Sequence, residues 1–158
     1  MKINVDSDGC AAGFDEKFIE LFGSHPKTIP DDKLWDMIHS VPDFFISLPV
    51  LSDFHALWAV IQPLNPTVIT GIPRDNIEHC AAQKRAWWKL HFNHDNVITC
   101  LSKHKPDHMQ EPGDILIDDM VKNCKRWVKA GGNAILYRTA AQAIADLHSQ
   151  TFFQIRRG

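Results

Sequence analysis

The sequence predicts an α/β fold, one parallel sheet with helices on both faces, and three observations lead there. Five short runs, Ile3 to Val5, Thr67 to Thr70, Asn96 to Cys100, Asp114 to Ile117 and Ala134 to Tyr137, are mostly apolar and alternate with stretches of helical periodicity. Strands apolar on both sides belong to parallel sheets covered above and below. Acids, glycine or a hydroxyl follow several of these runs directly, and the crevice of an open α/β sheet lies at those carboxyl ends. A chain of 158 residues fits one domain, residues 1–158.

The first strand, Ile3 to Val5, ends in Asp6-Ser7-Asp8, and Gly9 permits the turn that follows. Phe14, Phe18, Leu21 and Phe22 recur at helical spacing over 15–22, and Gly23 stops that helix. Pro30-Asp31-Asp32 opens a second helix carrying Leu34, Trp35 and Ile38 on one face. Phe44 to Leu48 is an apolar link, and Ser52-Asp53 caps a third helix through Ile61. The second strand, Thr67 to Thr70, is closed by Gly71 and Pro73. Asp75 or Asn76 opens a long helix with Ala82, Arg85, Ala86, Trp88, Lys89 and Phe92, whose aromatics read as packing, with base stacking by Trp87 or Trp88 as the alternative. Asn96 to Cys100 and Asp114 to Ile117 are the third and fourth strands, the latter ending in Asp118-Asp119. A helix from Val121 to Lys129 stops at Gly131-Gly132, Ala134 to Tyr137 is the fifth strand, and Ala140 to Leu147 the last helix. The core is therefore expected at 1–14 and 67–158, with a small helical insert over about 15–66, too short to own a core.

Composition removes several functions. A net charge of −2 and 23% charged residues do not make the basic surface that nucleic-acid coating requires. No apolar run is long enough to span a bilayer, since 44–61 is interrupted by Ser47, Pro49, Ser52, Asp53 and His55. Nothing near Met1 resembles a secretory signal, and a cytoplasmic setting is the expectation. Cys10, Cys80, Cys100 and Cys124 show no C-x-x-C pairing and read as small buried hydrophobes. His91-x-x-His94 and His104-x-x-x-His108, near Cys100, have spacings that could hold a transition metal; half-exposed surface histidines are the plainer reading.

Chemistry collects at the strand ends. Asp6 and Asp8 can offer a carboxylate and a backbone carbonyl to one hard divalent cation. Thr70-Gly71 offers a hydroxyl and free amides to a phosphate. Asp118-Asp119 adds two carboxylates, and Ser102-Lys103-His104-Lys105 can bring an ammonium to the same rim. Four carboxylates on one edge repel unless a cation neutralises them. Acids, lysine and threonine together suit a phosphoryl group.

This ordered set resembles the haloacid dehalogenase superfamily of phosphohydrolases, and within it the small 5′(3′)-deoxyribonucleotidases with their bacterial and phage relatives. The resemblance rests on Val5-Asp6-Ser7-Asp8-Gly9, Phe14, Phe44-Phe45-Ile-Ser-Leu-Pro, Val68-Ile-Thr70-Gly71, the helix from Lys84 to Phe92, and Ile115-Leu-Ile-Asp118-Asp119. It implies a Rossmann-like three-layer α/β/α core with a small helical cap, and a Mg²⁺-dependent phosphomonoesterase. Asp6 would be the nucleophile and Asp8 the acid, then base. Thr70, Gly71 and a lysine would hold phosphate. Lys105 fits that lysine better by its distance from Asp118, and Lys103 is the alternative. Asp6, the Asp8 carbonyl, Asp119 and neighbouring Asp118 would hold Mg²⁺. Phe14, Trp35, Phe44 and Phe45 could line a base pocket. Met120 replaces an arginine of many relatives, and Cys10-Ala11-Ala12 replaces bulkier aliphatics.

The substrate implied is a nucleoside monophosphate, with a homodimer left open. The alternatives are a phosphatase for another small metabolite or for a nucleic-acid end, which the low charge disfavours. A catalytically silent nucleotide- or metal-binding module and a zinc-binding protein built on Cys100, His104 and His108 complete the set.

Overall fold

The computed structural model describes residues 1–155. Five strands, β1 (Ile3–Val5), β2 (Thr67–Gly71), β3 (Val97–Cys100), β4 (Ile115–Asp118) and β5 (Asn133–Leu136), form one sheet in the order β3-β2-β1-β4-β5. Every pairing is parallel, with Val5 opposite Val68 and Ile117, and Ile117 opposite Ile135. The fold is a three-layer α/β/α sheet of Rossmann type.

Side chains that alternate along the strands explain the layers. Val5, Val68, Ile115, Ile117 and Ile135 share one core with Phe54, Leu57, Trp58, Trp87, Trp88, Ala140 and Ala143. These come from α3 (Phe54–Ile61), α4 (Ile77–Phe92) and α6 (Ala140–Ser149). Ile69, Leu116 and Ala134 point to the other face and meet Cys124 and Trp127 of α5 (Val121–Lys129). The same alternation buries both sets, so the strands read as continuously apolar.

The segment 15–66 divides. Its first part, α1 (Phe14–Phe22) and α2 (Asp31–His39), extends past the carboxyl ends of the strands and supplies Phe14, Leu34 and Trp35 to a cavity there. Its last part, α3, is buried through Phe54, Leu57, Trp58 and Ile61 in the sheet-covering layer. Backbone bonds from Gly13 N to Pro49 O (2.8 Å) and Leu51 N to Ala11 O (2.8 Å) join the two arms of the segment to the turn after β1.

Local structure departs from the sequence reading at two points. Asp53 does not cap α3, where it is already helical with no side-chain cap bond. Its carboxylate instead accepts from Tyr137 Oη at 3.1 Å and from Ala140 N at 2.6 Å, serving the start of α6. Ser102–His108, to which the sequence reading assigned no element, form a 3-10 helix. Among the described residues no helix is long and apolar enough to cross a membrane.

Candidate active site

β1, β2 and β4 are adjacent, so the residues after them converge. Asp6 is 5% exposed and its Oδ1 accepts from Lys105 Nζ at 2.7 Å. The same ammonium reaches Asp118 Oδ2 at 2.7 Å. Asp118 is fully buried and also accepts from Met120 N at 2.8 Å and from Asn123 Nδ2 at 3.1 and 3.2 Å. Asp118 thus anchors the lysine, while Asp119 turns to the cavity.

Asp8 is served by a second lysine. Lys84 Nζ donates to Asp8 Oδ2 at 2.5 Å, to Thr70 Oγ1 at 3.0 Å and to Gly71 O at 2.8 Å. An ammonium has three protons, and these partners use them all. The Phe45 ring lies 4.7 Å from Nζ, close enough for a cation–π contact.

Charges in this cluster do not balance. Asp6, Asp8, Asp118 and Asp119 face Lys84 and Lys105, an excess of two negative charges if all are ionised. Protonation is one response. Burial, then Asp6 and Asp118, push Asp119 up to about 8. Burial and Asp6 raise Asp118 to about 6 against the pull of Lys105, leaving it a carboxylate at neutral pH. Burial also raises Asp8, with Lys84 opposing and Asp6 adding. For Lys105, burial favours the neutral amine, but Asp6 and Asp118 outweigh it and hold the ammonium above the usual lysine range.

A divalent cation is the other response, and the residues fit one. Asp8 Oδ1 and Asp119 Oδ1 are enclosed without a hydrogen-bond partner, a costly condition unless something else approaches them. Gly9 turns at φ +84°, and a Cβ there would collide with the Asp119 carboxylate. Asp6, Cys10 and Asp119 each place a ligand atom within 4.8 Å of the other two, and no other such group of three His, Cys, Asp or Glu occurs among the described residues. The carboxylate oxygens of Asp6 and Asp119 in this group are donors that suit Mg²⁺.

The cavity over these groups holds about 380 Å³ and is lined by Asp6, Asp8, Gly71, Lys105 and Asp119 on the sheet side. Phe14, Leu34, Trp35 and Ile72 line it as well. A neighbouring cavity of about 580 Å³ shares Trp35, Ile72, Ser102 and Lys122 with it.

Several sequence-predicted residues are placed elsewhere. Lys103 is exposed and lines the neighbouring cavity, because only Lys105 faces inward from the 3-10 helix. Thr70 is fully buried and its hydroxyl accepts from Lys84, so it seats the lysine beneath Asp8. Phe44 and Phe45 are 1% and 2% exposed and do not line the cavity; they pack on Phe14, which does. Trp87 and Trp88 are buried, with their indole N–H groups given to Leu48 O and Ser7 Oγ, so neither can stack a base. The histidine spacings do not assemble a metal set among the described residues: His94 bonds Pro66 O and His104 pairs with Asp107.

Lys84 was missed as a site residue by sequence reasoning, although a signal was present. Cys80, Ala81, Trp87 and Trp88 form the buried stripe of α4, and Lys84 stands in its middle. A lysine on an apolar stripe is almost never buried without a charged partner. Asn123, which orients Asp118, left no comparable signal.

No protein-family model and no curated protein matches the chain. Among solved structures, a haloacid dehalogenase-like hydrolase from Burkholderia xenovorans superposes with a TM-score of 0.51 at 11% identity, over 96% of this chain and 88% of that one. A hydrolase from Streptococcus pneumoniae gives 0.49 at 10% identity, over 93% and 97%. A haloacid dehalogenase hydrolase of family IA, variant 3, from Entamoeba histolytica gives 0.47 at 13% identity, over 84% and 82%. Identities this low speak for architecture, and the Burkholderia structure carries the comparison. The chain has the α/β fold of a haloacid dehalogenase-like hydrolase.

Proposed function

We propose that the chain is a Mg²⁺-dependent phosphomonoesterase working through an aspartyl-phosphate on Asp6, with a nucleoside 5′-monophosphate as its substrate. The observation that carries this reading is the pair of lysine-held carboxylates at the end of β1, Asp6 on Lys105 and Asp8 on Lys84, facing one cavity. One carboxylate is paired with a buried ammonium and faces the cavity for attack, and the other sits where burial and a lysine compete over its proton.

A carboxylate oxygen of Asp6 attacks phosphorus, the ester P–O bond breaks, and Asp8 gives its proton to the departing alkoxide. Asp8, now ionised beside Lys84, takes a proton from water as that water attacks the acyl-phosphate, and phosphate leaves with Asp6 restored. Lys105 offsets charge on Asp6 and the phosphoryl oxygens, and Gly71 lines the cavity beside them. Asp6, Asp119 and the Asp8 carbonyl would hold Mg²⁺, which supplies Lewis-acid neutralisation of the phosphoryl charge.

The nucleotide is supported by the resemblance and by Phe14 and Trp35, two aromatic faces in a cavity of a size common for small-molecule sites. A soluble cytoplasmic setting fits such a substrate, and a homodimer is compatible with the small cap. Phosphate release from 5′- and 3′-nucleoside monophosphates and an aryl phosphate, with Mg²⁺ or EDTA and alongside Asp6→Asn, tests the reading. Metal-dependent release that vanishes in the variant supports it. Aryl phosphate turnover with every nucleotide inert keeps the phosphatase and removes the nucleotidase. Release from nothing leaves a silent binding module.

A further inference from the structure

Charge on this chain is segregated, which its net value of −2 conceals. The helices beyond the strand ends, α1 and α2, carry six acids against two lysines. α5 carries Lys122, Lys125, Arg126 and Lys129 and no acid. At the helical repeat these four share one exposed stripe, about 10 Å long, opposite buried Cys124 and Trp127. Among the described residues none of the four enters an ion pair, whereas Lys17 and Lys89 on other helices pair with Glu20 and Asp95. The stripe is unfavourable within its own helix. Lys122 sits in the first turn, where the dipole disfavours a cation, and Lys122–Arg126 and Lys125–Lys129 are like-charge pairs one turn apart. A face kept for solubility alone would mix signs. Lys122 lines both cavities, and Lys103, on the 3-10 helix packed against α5, lines the second, so the stripe begins at the mouth of the site. Arg74 and Asp75 offset each other on the loop after β2, and Asp31, Asp32 and Asp36 of α2 line the second cavity as well.

We infer that α5 is a docking track for the phosphodiester backbone of a short single strand of nucleic acid, whose terminal 5′-phosphate is the group hydrolysed at Asp6. This rests on the phosphomonoesterase reading and extends its nucleotide by further residues. The terminal nucleotide occupies the first cavity, with its base against Phe14 or Trp35. The strand leaves through the second cavity past Lys103 and Lys122, and its next phosphates meet Lys125, Arg126 and Lys129. The acids of α2 repel the same backbone and keep it on the α5 side. A base still paired in a duplex cannot enter the cavity, so the strand is single. An acidic peptide would meet the same cations but brings no base to the aromatic faces. The chemistry is unchanged. The bond from Asp6 to phosphorus forms as P–O5′ breaks, Asp8 gives O5′ its proton, and water then frees phosphate, leaving a 5′-hydroxyl strand.

The test follows binding of a short 5′-phosphorylated oligothymidylate, fluorescein-labelled at its 3′ end, by anisotropy across a salt series. The full chain carries Asp6→Asn, with Mg²⁺ present, so that the strand stays intact. Three or four backbone contacts predict a slope of log affinity against log salt of about −2 to −3. Lys125→Gln/Lys129→Gln should flatten that slope by about 1.4, and each single change by about 0.7. With Asp6 intact, KM for the unlabelled strand should lie at least about tenfold below KM for thymidine 5′-monophosphate at low salt. The double variant should close that gap by raising the strand's KM, because the mononucleotide does not reach Lys125 or Lys129. Circular dichroism checks each fold, and the single variants decide if the double one does not fold. A slope unmoved by these changes, equal KM values for strand and mononucleotide, or equal affinity for a labelled oligoglutamate overturns the track. Lysine-dependent strand binding in a chain that releases phosphate from neither substrate leaves the track standing and sinks the proposed function alone. Release from the mononucleotide with no preference for the strand sinks this inference alone.

Discussion

The ammonium of Lys84 sits 2.5 Å from Oδ2 of Asp8, although the two residues are 76 positions apart and lie on different elements. Its other protons are held by Thr70 and Gly71, so the lysine is fixed beneath the acid. An opposite charge that close favours ionised Asp8, while burial favours the protonated form.

Removing Lys84 therefore raises Asp8 further, and in the proposed mechanism it should damage the base step assigned to Asp8 more than the acid step. Lys84→Met is expected to lower kcat about 10²-fold with little change in KM. A rapid-quench experiment should show a burst of alcohol product followed by slow phosphate release, and the rising limb of the pH profile should move upward. Equal loss of both phases, with an unmoved limb, would make Lys84 merely structural.

Asp119 gives the metal-free protein a pH-dependent stability. Its carboxyl is pushed up to about 8 in the folded chain from an ordinary 3.8, so between these values the folded state binds the extra proton. Stability must then fall as pH rises across that window, and be least above it. Urea midpoints in EDTA should decline from about pH 5 to about pH 8, the slope should shrink in Asp119→Asn, and Mg²⁺ should restore the loss at the alkaline end. A midpoint that climbs over the same range would show Asp119 ionised throughout.

Gly9 allows the close approach of Asp119. At φ +84°, alanine is strained, and its Cβ would strike the carboxylate. Gly9→Ala should cost about 1–3 kcal/mol in unfolding free energy, and weaken Mg²⁺ by at least about tenfold. Calorimetric Mg²⁺ titration and denaturant melts separate the two effects.

Trp35 and Phe44 should behave oppositely. Trp35 lines both cavities and is half-buried, so Trp35→Ala should raise KM for a nucleotide while sparing KM for a small aryl phosphate. Phe44 is 1% exposed in the core, and Phe44→Ala should cost about 3–5 kcal/mol with KM nearly unchanged in the folded fraction. Steady-state kinetics and thermal melts on the same preparations decide.

The strands and the converging acids were legible because each is a local pattern. Ile3 to Val5 before Asp6-Ser7-Asp8, and Ile115 to Ile117 before Asp118-Asp119, announce both a buried strand and its loaded end. Division of labour within a motif was not legible. Asp118 and Asp119 are neighbours in sequence, yet one is clamped by Lys105, Met120 and Asn123 while the other faces the cavity. Aromatic residues misled in the same way, since Phe14 and Phe44 share chemistry and differ only in which side of the packing they occupy. The capping role of Asp53 was read onto the nearest helix, whereas its partners, Tyr137 and Ala140, lie more than eighty residues further on.

The central position of β1 has a consequence for biosynthesis. Val5 needs Val68 on one side and Ile117 on the other, so β1 gains its second neighbour only after β2, β3 and β4 have all been made. Until then Asp6 lacks the Lys105–Asp118 pair that holds it, and an arrested or cleaved nascent chain ending before β4 carries both β1 acids in an unassembled state. The assembled site, and with it the activity proposed here, should therefore arrive late and all at once, without a partly formed precursor.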